Sequence, residues 1–204
     1  MIDPIYAETL FNHLYSNING YGISKEARLK SGIDTEQLLY GELPFASWKE
    51  IVEYANPKKD GVFMDLGSGT GRVIIASHML FDFKKCIGVE LLEGLHNKAC
   101  EVEKEFKKNV ALQIEDHLKG REIQLIQGDI FNTDLREVDF VFMNHPFKDG
   151  ENFNRLEDKF LNELKPGSKI VTIIRALENP RFKKLGSKTY KFSWGDSTTH
   201  FFEI

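Results

Sequence analysis

Residues 62–73 read Val-Phe-Met-Asp-Leu-Gly-Ser-Gly-Thr-Gly-Arg-Val. The mainly apolar residues at the start are typical of a buried strand, and the residues from Arg72 onward have the pattern of an apolar helix. Between them, Gly67, Gly69 and Gly71 allow the backbone to turn sharply and to approach a ligand closely. The segment therefore predicts a strand, a tight turn and a helix whose first N–H groups face the turn.

The spacing of these glycines indicates which ligand the turn binds. A dinucleotide-binding turn has the pattern Gly-x-Gly-x-x-Gly, whereas here the third glycine comes one residue early and Arg72 follows it. Asp65 precedes the turn, where its charge would repel a pyrophosphate but would suit a ligand with a cationic or amine group. S-adenosylmethionine has an amine, a sulfonium and no phosphate. We expect this cofactor to contact Asp65, Gly67, Ser68, Gly69, Thr70 and Gly71; the alternative is a turn that binds no ligand.

Acidic residues follow the next two predicted strands. Glu90 ends the strand at 85–89, and a carboxylate there can accept hydrogen bonds from two ribose hydroxyls. Asp129 follows the strand at 122–126 and could accept the adenine amino group, with Ile130 packing on the ring. Leu91, next to Glu90, is assigned to the same group of cofactor contacts.

Strands and helices alternate from residue 61 onward. Strands are predicted at 62–66, 85–89, 122–126, 140–143 and 169–174, and helices at 71–81, 93–119, near Asp134 and at 153–164. Short apolar strands alternating with helices indicate a parallel sheet covered on both faces. Residues 189–194 and 198–204 read instead as a hairpin with its turn at 195–197. We predict an α/β fold with a doubly wound, Rossmann-like sheet of seven strands, five parallel and two in a C-terminal antiparallel hairpin, the arrangement of class I methyltransferases.

The beginning of the chain predicts helices only, at 4–19, 24–31 and 46–55. Asn19 and Gly20 break the first periodic run, and Gly32 ends the second. We therefore expect a small helical N-terminal cap at 1–40 and a class I methyltransferase domain at 41–204.

Composition and charge narrow the possible partners. Of 204 residues, 41% are hydrophobic and 28% charged, with a net charge of −4, which fits a globular protein and weighs against nucleic acid while leaving a local basic patch open. The densest basic run, at 181–191, reads as a solvated sheet edge. Cys86 and Cys100 offer neither a metal-binding spacing nor a disulfide framework, so we expect no metal. We recognise no signal peptide and no membrane span in the sequence. We therefore expect a cytoplasmic location, or a nuclear one in a eukaryote, and no membrane partner. The sequence does not indicate an oligomeric state.

Further motifs carry a resemblance to a known family. Tyr40-Gly41-Glu42 precedes the glycine turn, Gly88-Val89-Glu90 ends the second strand, Asn144 follows the fourth strand, and Trp194 stands seven residues before Phe201. From residue 40 to 204 the chain resembles the non-SET histone lysine methyltransferases, the disruptor-of-telomeric-silencing family. The resemblance implies an S-adenosylmethionine-dependent protein-lysine N-methyltransferase with a protein substrate. In it Tyr40, Glu42 and Asn144 contact the cofactor, and Asn144, Trp194 and Phe201 face the acceptor.

The chain departs from the family pattern mainly around the substrate channel. The departures are Leu43 for a Thr, Arg72 for a Gln, Ile130 for an adenine-stacking Phe, Phe201 for a pocket Tyr, and Asn-His-Pro-Phe at 144–147 for Asn-Asn-Phe. They concern the acceptor more than the cofactor.

A lysine acceptor must lose its proton before methyl transfer. A channel of Phe147, Trp194 and Phe201 would disfavour the ammonium by desolvation, and Asn144 could accept one N–H of the neutral amine. No dedicated base is then required, although His145 is an alternative base.

Two other functions stay open at this point. Residues 144–147 resemble the Asn-Pro-Pro-aromatic motif of amino-methyltransferases that act on adenine in nucleic acid or on glutamine, and a small-molecule amine is a related alternative. The last alternative is a pseudoenzyme that binds the cofactor without transferring its methyl group.

Overall fold

The computed structural model describes residues 2–32, 40–144 and 150–204. Helices come first, namely α1 (Pro4–Tyr15), α2 (Gly20–Ser31) and α3 (Phe45–Ala55). Strands and helices then alternate as β1 (Val62–Leu66), α4 (Arg72–Leu80), β2 (Lys85–Glu90), α5 (Glu93–Glu105), the one-turn helix α6 (Glu115–Leu118), β3 (Glu122–Gln127), β4 (Phe140–Met143), α7 (Gly150–Glu163), β5 (Lys169–Ile173), β6 (Lys183–Phe192) and β7 (Gly195–Glu203).

The strands form one sheet in the order β3-β2-β1-β4-β5-β7-β6. Strands β1 to β5 run parallel, with Asp65 of β1 level with Gly88 of β2 and Phe142 of β4. Strand β7 runs antiparallel to both β5 and β6. The predicted doubly wound sheet of seven strands with a C-terminal hairpin is confirmed. The order reverses between β1 and β4, and in such sheets ligands bind beyond the carboxyl ends of the strands at this point.

The sheet is covered on both faces because side chains alternate along each strand. On one face Phe63 of β1 packs with Trp48 of α3, and on the other face Met64 packs with Phe160 of α7. Each large apolar side chain buried in this way contributes roughly 1.5–3 kcal/mol. Phe11 of α1 belongs to the same cluster as Trp48, so the N-terminal cap shares its core with the sheet.

Two helix predictions were too long. The periodic run at 4–19 ends at Tyr15, and Asn19 begins α2 because its side chain accepts a hydrogen bond from the N–H of Gly22 at 3.0 Å. The run at 93–119 is divided into α5, a π turn, a 3-10 turn and α6. A continuous helix of that length would span about 40 Å, twice the length of a six-residue strand at about 20 Å. The chain turns back instead and buries Phe106 and Val110.

The predicted helix near Asp134 is also wrong, since the helical turn there is a 3-10 turn at Ile130–Asn132. The predicted hairpin turn at 195–197 is wrong as well. Phe192 pairs with Gly195, so Ser193 and Trp194 form the tip of the hairpin. Strands β6 and β7 extend further than predicted because they pair along their whole length.

The basic run at 181–191 lies mainly on β6, the outermost strand, where Lys183, Lys184, Lys188 and Lys191 are exposed. Lysine on an edge strand discourages pairing with another sheet, as expected of a solvated edge. Among the described residues, no helix is both long and apolar enough to cross a membrane.

Candidate active site

A cavity opens where the strand order reverses, at the carboxyl ends of β1, β2 and β4. The space between its walls is about 990 Å³, part of which is open to solvent. It brings together most of the residues assigned to the cofactor: Tyr40, Glu42, Asp65, Gly67, Ser68, Gly69, Thr70, Glu90, Leu91, Asp129, Ile130 and Asn144.

The turn between β1 and α4 requires glycine. The backbone angle φ is 92° at Gly67 and 54° at Gly69, and residues with a Cβ rarely adopt such positive values. The N–H groups of Gly67 and Ser68 donate to the carbonyl oxygen of Val89 at 2.9 and 3.0 Å, which holds the turn against the end of β2. A Cβ at Gly69 would lie 2.9 Å from Cε2 of Tyr40, so the turn also lies close to the Tyr40 ring.

Glu90 fastens the glycine turn from the side of β2. Its Oε2 accepts a hydrogen bond from the N–H of Gly69 at 2.8 Å, and its Oε1 accepts one from the N–H of Leu92 at 2.9 Å. Burial raises the pKa of the Glu90 carboxyl, although these N–H groups oppose the shift. Because each carboxylate oxygen can accept two hydrogen bonds, Glu90 can position the turn and still accept from ligand hydroxyls.

Asp65 is the least compensated acid of the cavity. It is 2% exposed, and its Oδ1 has no hydrogen-bond partner among the described residues. Burial raises the pKa of Asp65 well above its usual range, and the neighbouring charge of Glu90 raises it further. A buried acceptor without a donor is unfavourable by about 1–3 kcal/mol, so this carboxylate is suited to a ligand that brings a positive or N–H group.

Asp129 begins the 3-10 turn that follows β3. Its Oδ1 accepts a hydrogen bond from the N–H of Phe131 at 2.9 Å, which leaves the second carboxylate oxygen for a ligand donor. Ile130 is 7% exposed and adds an apolar surface to the cavity next to Asp129. The pair can therefore recognise a flat ring that carries an amino group.

Tyr40 connects the N-terminal helices to the glycine turn. Its hydroxyl donates to Oε1 of Glu42 at 3.1 Å and lies 3.2 Å from Oγ1 of Thr70, whose carbonyl oxygen accepts from the hydroxyl of Tyr15 at 3.2 Å. A Cβ at Gly20, the first residue of α2, would lie 2.1 Å from the Tyr40 hydroxyl oxygen. The absence of a side chain at Gly20 therefore allows α2 to pack against this wall.

Asn144 and Trp194 meet at the segment that contains Gly41. Nδ2 of Asn144 donates to the carbonyl oxygen of Gly41 at 3.5 Å, and an added Cβ at Gly41 would lie 2.0 Å from Cζ3 of Trp194. The N–H of Ser193 donates to the carbonyl oxygen of Glu42 at 3.0 Å. The tip of the hairpin thus lies beside the cavity, with Trp194 40% exposed.

The structure places Phe201 away from this site and corrects the expectation that it lines the acceptor pocket. Phe201 is 1% exposed, pairs with Val171 in β5, and packs against the ring of Tyr54 with 4.5 Å between centroids. Strand alternation directs its side chain into the core below α3. Phe147, with His145 and Pro146, lies outside the described residues.

Gly71 also differs from its predicted role. It caps α4 with φ of 78°, and an added Cβ would lie 3.3 Å from Cβ of Ala99, so it permits close packing against α5 instead of lining the cavity. Sequence reasoning missed Ser24 of α2, a buried cavity residue that only tertiary packing brings there. It also missed Arg72 as a cavity residue, although the departure from the family pattern at that position was a signal.

Comparison with known proteins assigns the family. The model of "Histone methylation protein DOT1" matches residues 21–193. A histone-lysine N-methyltransferase, H3 lysine-79 specific, from Caenorhabditis elegans is 30% identical over 65% of this chain and 14% of its own length. A protein-lysine N-methyltransferase from Saccharolobus islandicus is 30% identical over 61% of this chain and 68% of its own length. The chain thus spans about a seventh of the nematode relative and about two thirds of the archaeal one.

Solved structures agree on the fold. An RNA methyltransferase from Salinibacter ruber, in complex with S-adenosyl-L-homocysteine, superposes with a TM-score of 0.59 and 23% identity, covering 79% of this chain and 92% of that one. At this identity the likeness concerns the fold alone, a methyltransferase-type doubly wound sheet. The match over residues 21–193 shows that this chain, with its cavity at the switch point of the sheet, is a member of the DOT1 histone methylation family.

Proposed function

We propose that this chain is an S-adenosylmethionine-dependent N-methyltransferase that methylates lysine in a protein. The observation that carries the proposal is the cavity in which Asp65, the glycine turn, Glu90 and Asn144 converge. The names of the archaeal and nematode relatives, both lysine N-methyltransferases, support lysine in a protein as the acceptor.

The described residues fit the cofactor. Asp65 has an unpartnered oxygen for the amine of the cofactor's methionine part, Glu90 retains acceptor capacity for ribose hydroxyls, and Asp129 with Ile130 suits adenine. When bound, S-adenosylmethionine supplies a methyl group made electrophilic by the sulfonium. The protein's task is then to align the acceptor and to exclude water.

The acceptor side is formed by Asn144 and Trp194, with Phe147 proposed as a third member. Because Nδ2 of Asn144 donates to the carbonyl oxygen of Gly41, the amide is oriented and its Oδ1 stays available to accept an N–H of a neutral amine. The apolar face of Trp194 disfavours the ammonium form by desolvation. The side chains thus promote deprotonation of lysine without a dedicated base.

The test is a transfer assay with methyl-labelled S-adenosylmethionine on the separated protein and nucleic-acid fractions of a cell lysate. We expect label on lysine of the protein fraction, and loss of transfer for Asn144→Ala even when S-adenosylmethionine is saturating. Label only in nucleic acid would transfer the assignment to the adenine alternative. Cofactor binding without any transfer would favour the pseudoenzyme.

The cell compartment follows from the acceptor and stays a prediction. The cytoplasmic location expected from the sequence finds no support in the relatives, several of which are named for histone H3. In a eukaryotic source, a histone acceptor would require the nuclear alternative.

A further inference from the structure

Arg72 presents a largely buried cation to the cavity. It is the first residue of α4 and contributes to the cavity wall. Its side chain is 18% exposed, and its Nε is buried without a hydrogen-bond partner among the described residues. Its guanidinium carbon lies 4.5 Å from the ring centroid of Tyr15 and 5.0 Å from that of Phe11.

The carboxylate that pairs with Arg72 does so loosely. Nη1 of Arg72 lies 3.8 Å from Oε2 of Glu42, which is longer than the roughly 2.7–2.9 Å of a charge-assisted hydrogen bond. The other oxygen of Glu42 already accepts from the hydroxyl of Tyr40. The aromatic rings hold the guanidinium in place and exclude water from part of it, so Arg72 retains capacity for a second, better placed anion.

The chemistry of the cavity indicates which anion this is. Asp65, Glu90 and Asp129 provide acceptors for an amine, hydroxyls and an amino group, and Arg72 provides the complementary donor. The amino-acid part of S-adenosylmethionine carries one ammonium and one carboxylate. We propose that Arg72 binds the α-carboxylate of the cofactor, which replaces Glu42 as its closest anion; this inference rests on the function proposed above.

This assignment makes Arg72 a residue of cofactor recognition. The family pattern has an uncharged Gln at the position, which can donate a hydrogen bond but supplies no charge. A guanidinium can instead bind a carboxylate through two parallel hydrogen bonds. Recognition by Arg72 should therefore depend on the ligand's carboxylate, whereas adenosine recognition should not depend on Arg72.

The experiment is calorimetric titration of the wild type and Arg72→Gln with three ligands. S-adenosylhomocysteine has both the amine and the carboxylate, S-adenosyl-3-thiopropylamine has the amine alone, and 5′-methylthioadenosine has neither. We expect Arg72→Gln to lower the affinity for S-adenosylhomocysteine by about 10- to 100-fold. The affinities for the other two ligands should change by no more than about twofold. Arg72→Lys, which keeps a charge, should retain part of the preference for the carboxylate. Arg136→Gln, at a surface ion pair with Asp134, is the matched control.

The outcomes separate the two proposals. Equal weakening of all three ligands by Arg72→Gln, or no weakening of any, would overturn the role of Arg72 and leave the cofactor assignment standing. A wild type that binds none of the adenosyl ligands would overturn the cofactor assignment, and the role of Arg72 with it. If Arg72→Gln does not fold, the same comparison is made with Arg72→Lys. The deciding quantity is its affinity for S-adenosylhomocysteine relative to its affinity for the two ligands without a carboxylate.

Discussion

Replacing Asp65 by Asn should change ligand binding and stability in opposite directions. The variant keeps the size of the side chain and removes a charge that is 2% exposed and has an unpartnered oxygen. A buried polar group without a partner costs about 1–3 kcal/mol, and more when it is charged; because the amide also has an acceptor oxygen, the gain comes from removal of the charge. In a chain of this size each kcal/mol corresponds to about 2–4 °C. We therefore expect the ligand-free variant to unfold about 2–12 °C higher at pH 8, while its affinity for S-adenosylhomocysteine falls by about 10- to 100-fold.

The pH dependence gives the sign of the effect. Burial, and then the charge of Glu90, raise the pKa of Asp65 in the folded state. The folded state therefore binds more protons than the unfolded state above the usual carboxyl pKa of about 4. Wild-type stability must then fall as the pH rises from about 4 to the folded pKa, and it is fully present below that window. The amide of the Asp65→Asn variant does not titrate, so the advantage of the variant should disappear near pH 4, about the usual carboxyl pKa.

Asp139→Asn is the matched control with the opposite sign. Burial alone would raise the pKa of Asp139, but the N–H of Val62 at 2.9 Å and the ammonium of Lys165 at 3.0 Å lower it overall. The contribution of the Asp139 carboxylate to folding stability is present above the usual carboxyl pKa and is lost as the pH falls. We expect this variant to be about 1–3 kcal/mol less stable at pH 7, with the difference shrinking below about pH 4. Thermal unfolding of both variants at several pH values, with calorimetry of ligand binding, is the assay. A destabilised Asp65→Asn whose deficit grows with pH would refute the reasoning.

Three further predictions concern the acceptor side, the residue after β5 and the hairpin. Gly41→Ala should displace the Trp194 ring, since its Cβ would lie 2.0 Å from Cζ3; tryptophan fluorescence should change, and unchanged emission would contradict the packing. Ile174→Gly should raise stability by about 1 kcal/mol in urea unfolding, because Ile174 is half-exposed with φ of 68°; a loss of stability would rule out strain. Phe201→Ala should cost about 3–5 kcal/mol, whereas a variant of normal stability that is defective only in methyl transfer would restore the acceptor role.

The sequence was sufficient to predict those features of the structure that local residues determine. The turn after β1 follows from glycines that must adopt positive φ, and strands β1, β2, β4 and β5 follow from largely apolar runs that are buried on both faces. Glu90 and Asp129 could be placed at the cavity because the carboxyl ends of parallel strands meet at one edge of the sheet.

The rest depended on tertiary contacts that local pattern does not encode. The tip of the hairpin is set by the pairing of Phe192 with Gly195, so Trp194 lies in the turn and not in the strand predicted at 189–194. Phe201 was assigned to the pocket by resemblance, but its pairing with Val171 in the middle of β5 directs it into the core. Ser24 reaches the cavity only because α2 packs against α5 and Tyr40.

The central claim is that the glycine turn and its flanking acids bind an adenosyl sulfonium cofactor. Calorimetric titration of the wild type and of Gly69→Val, with S-adenosylhomocysteine and with a nicotinamide dinucleotide, tests it most directly. Because Gly69 has φ of 54° and a Cβ there would lie 2.9 Å from Tyr40, we predict binding of S-adenosylhomocysteine by the wild type and loss of binding by the variant. Binding of the dinucleotide in its place, or equal affinity of both proteins for S-adenosylhomocysteine, would contradict the account.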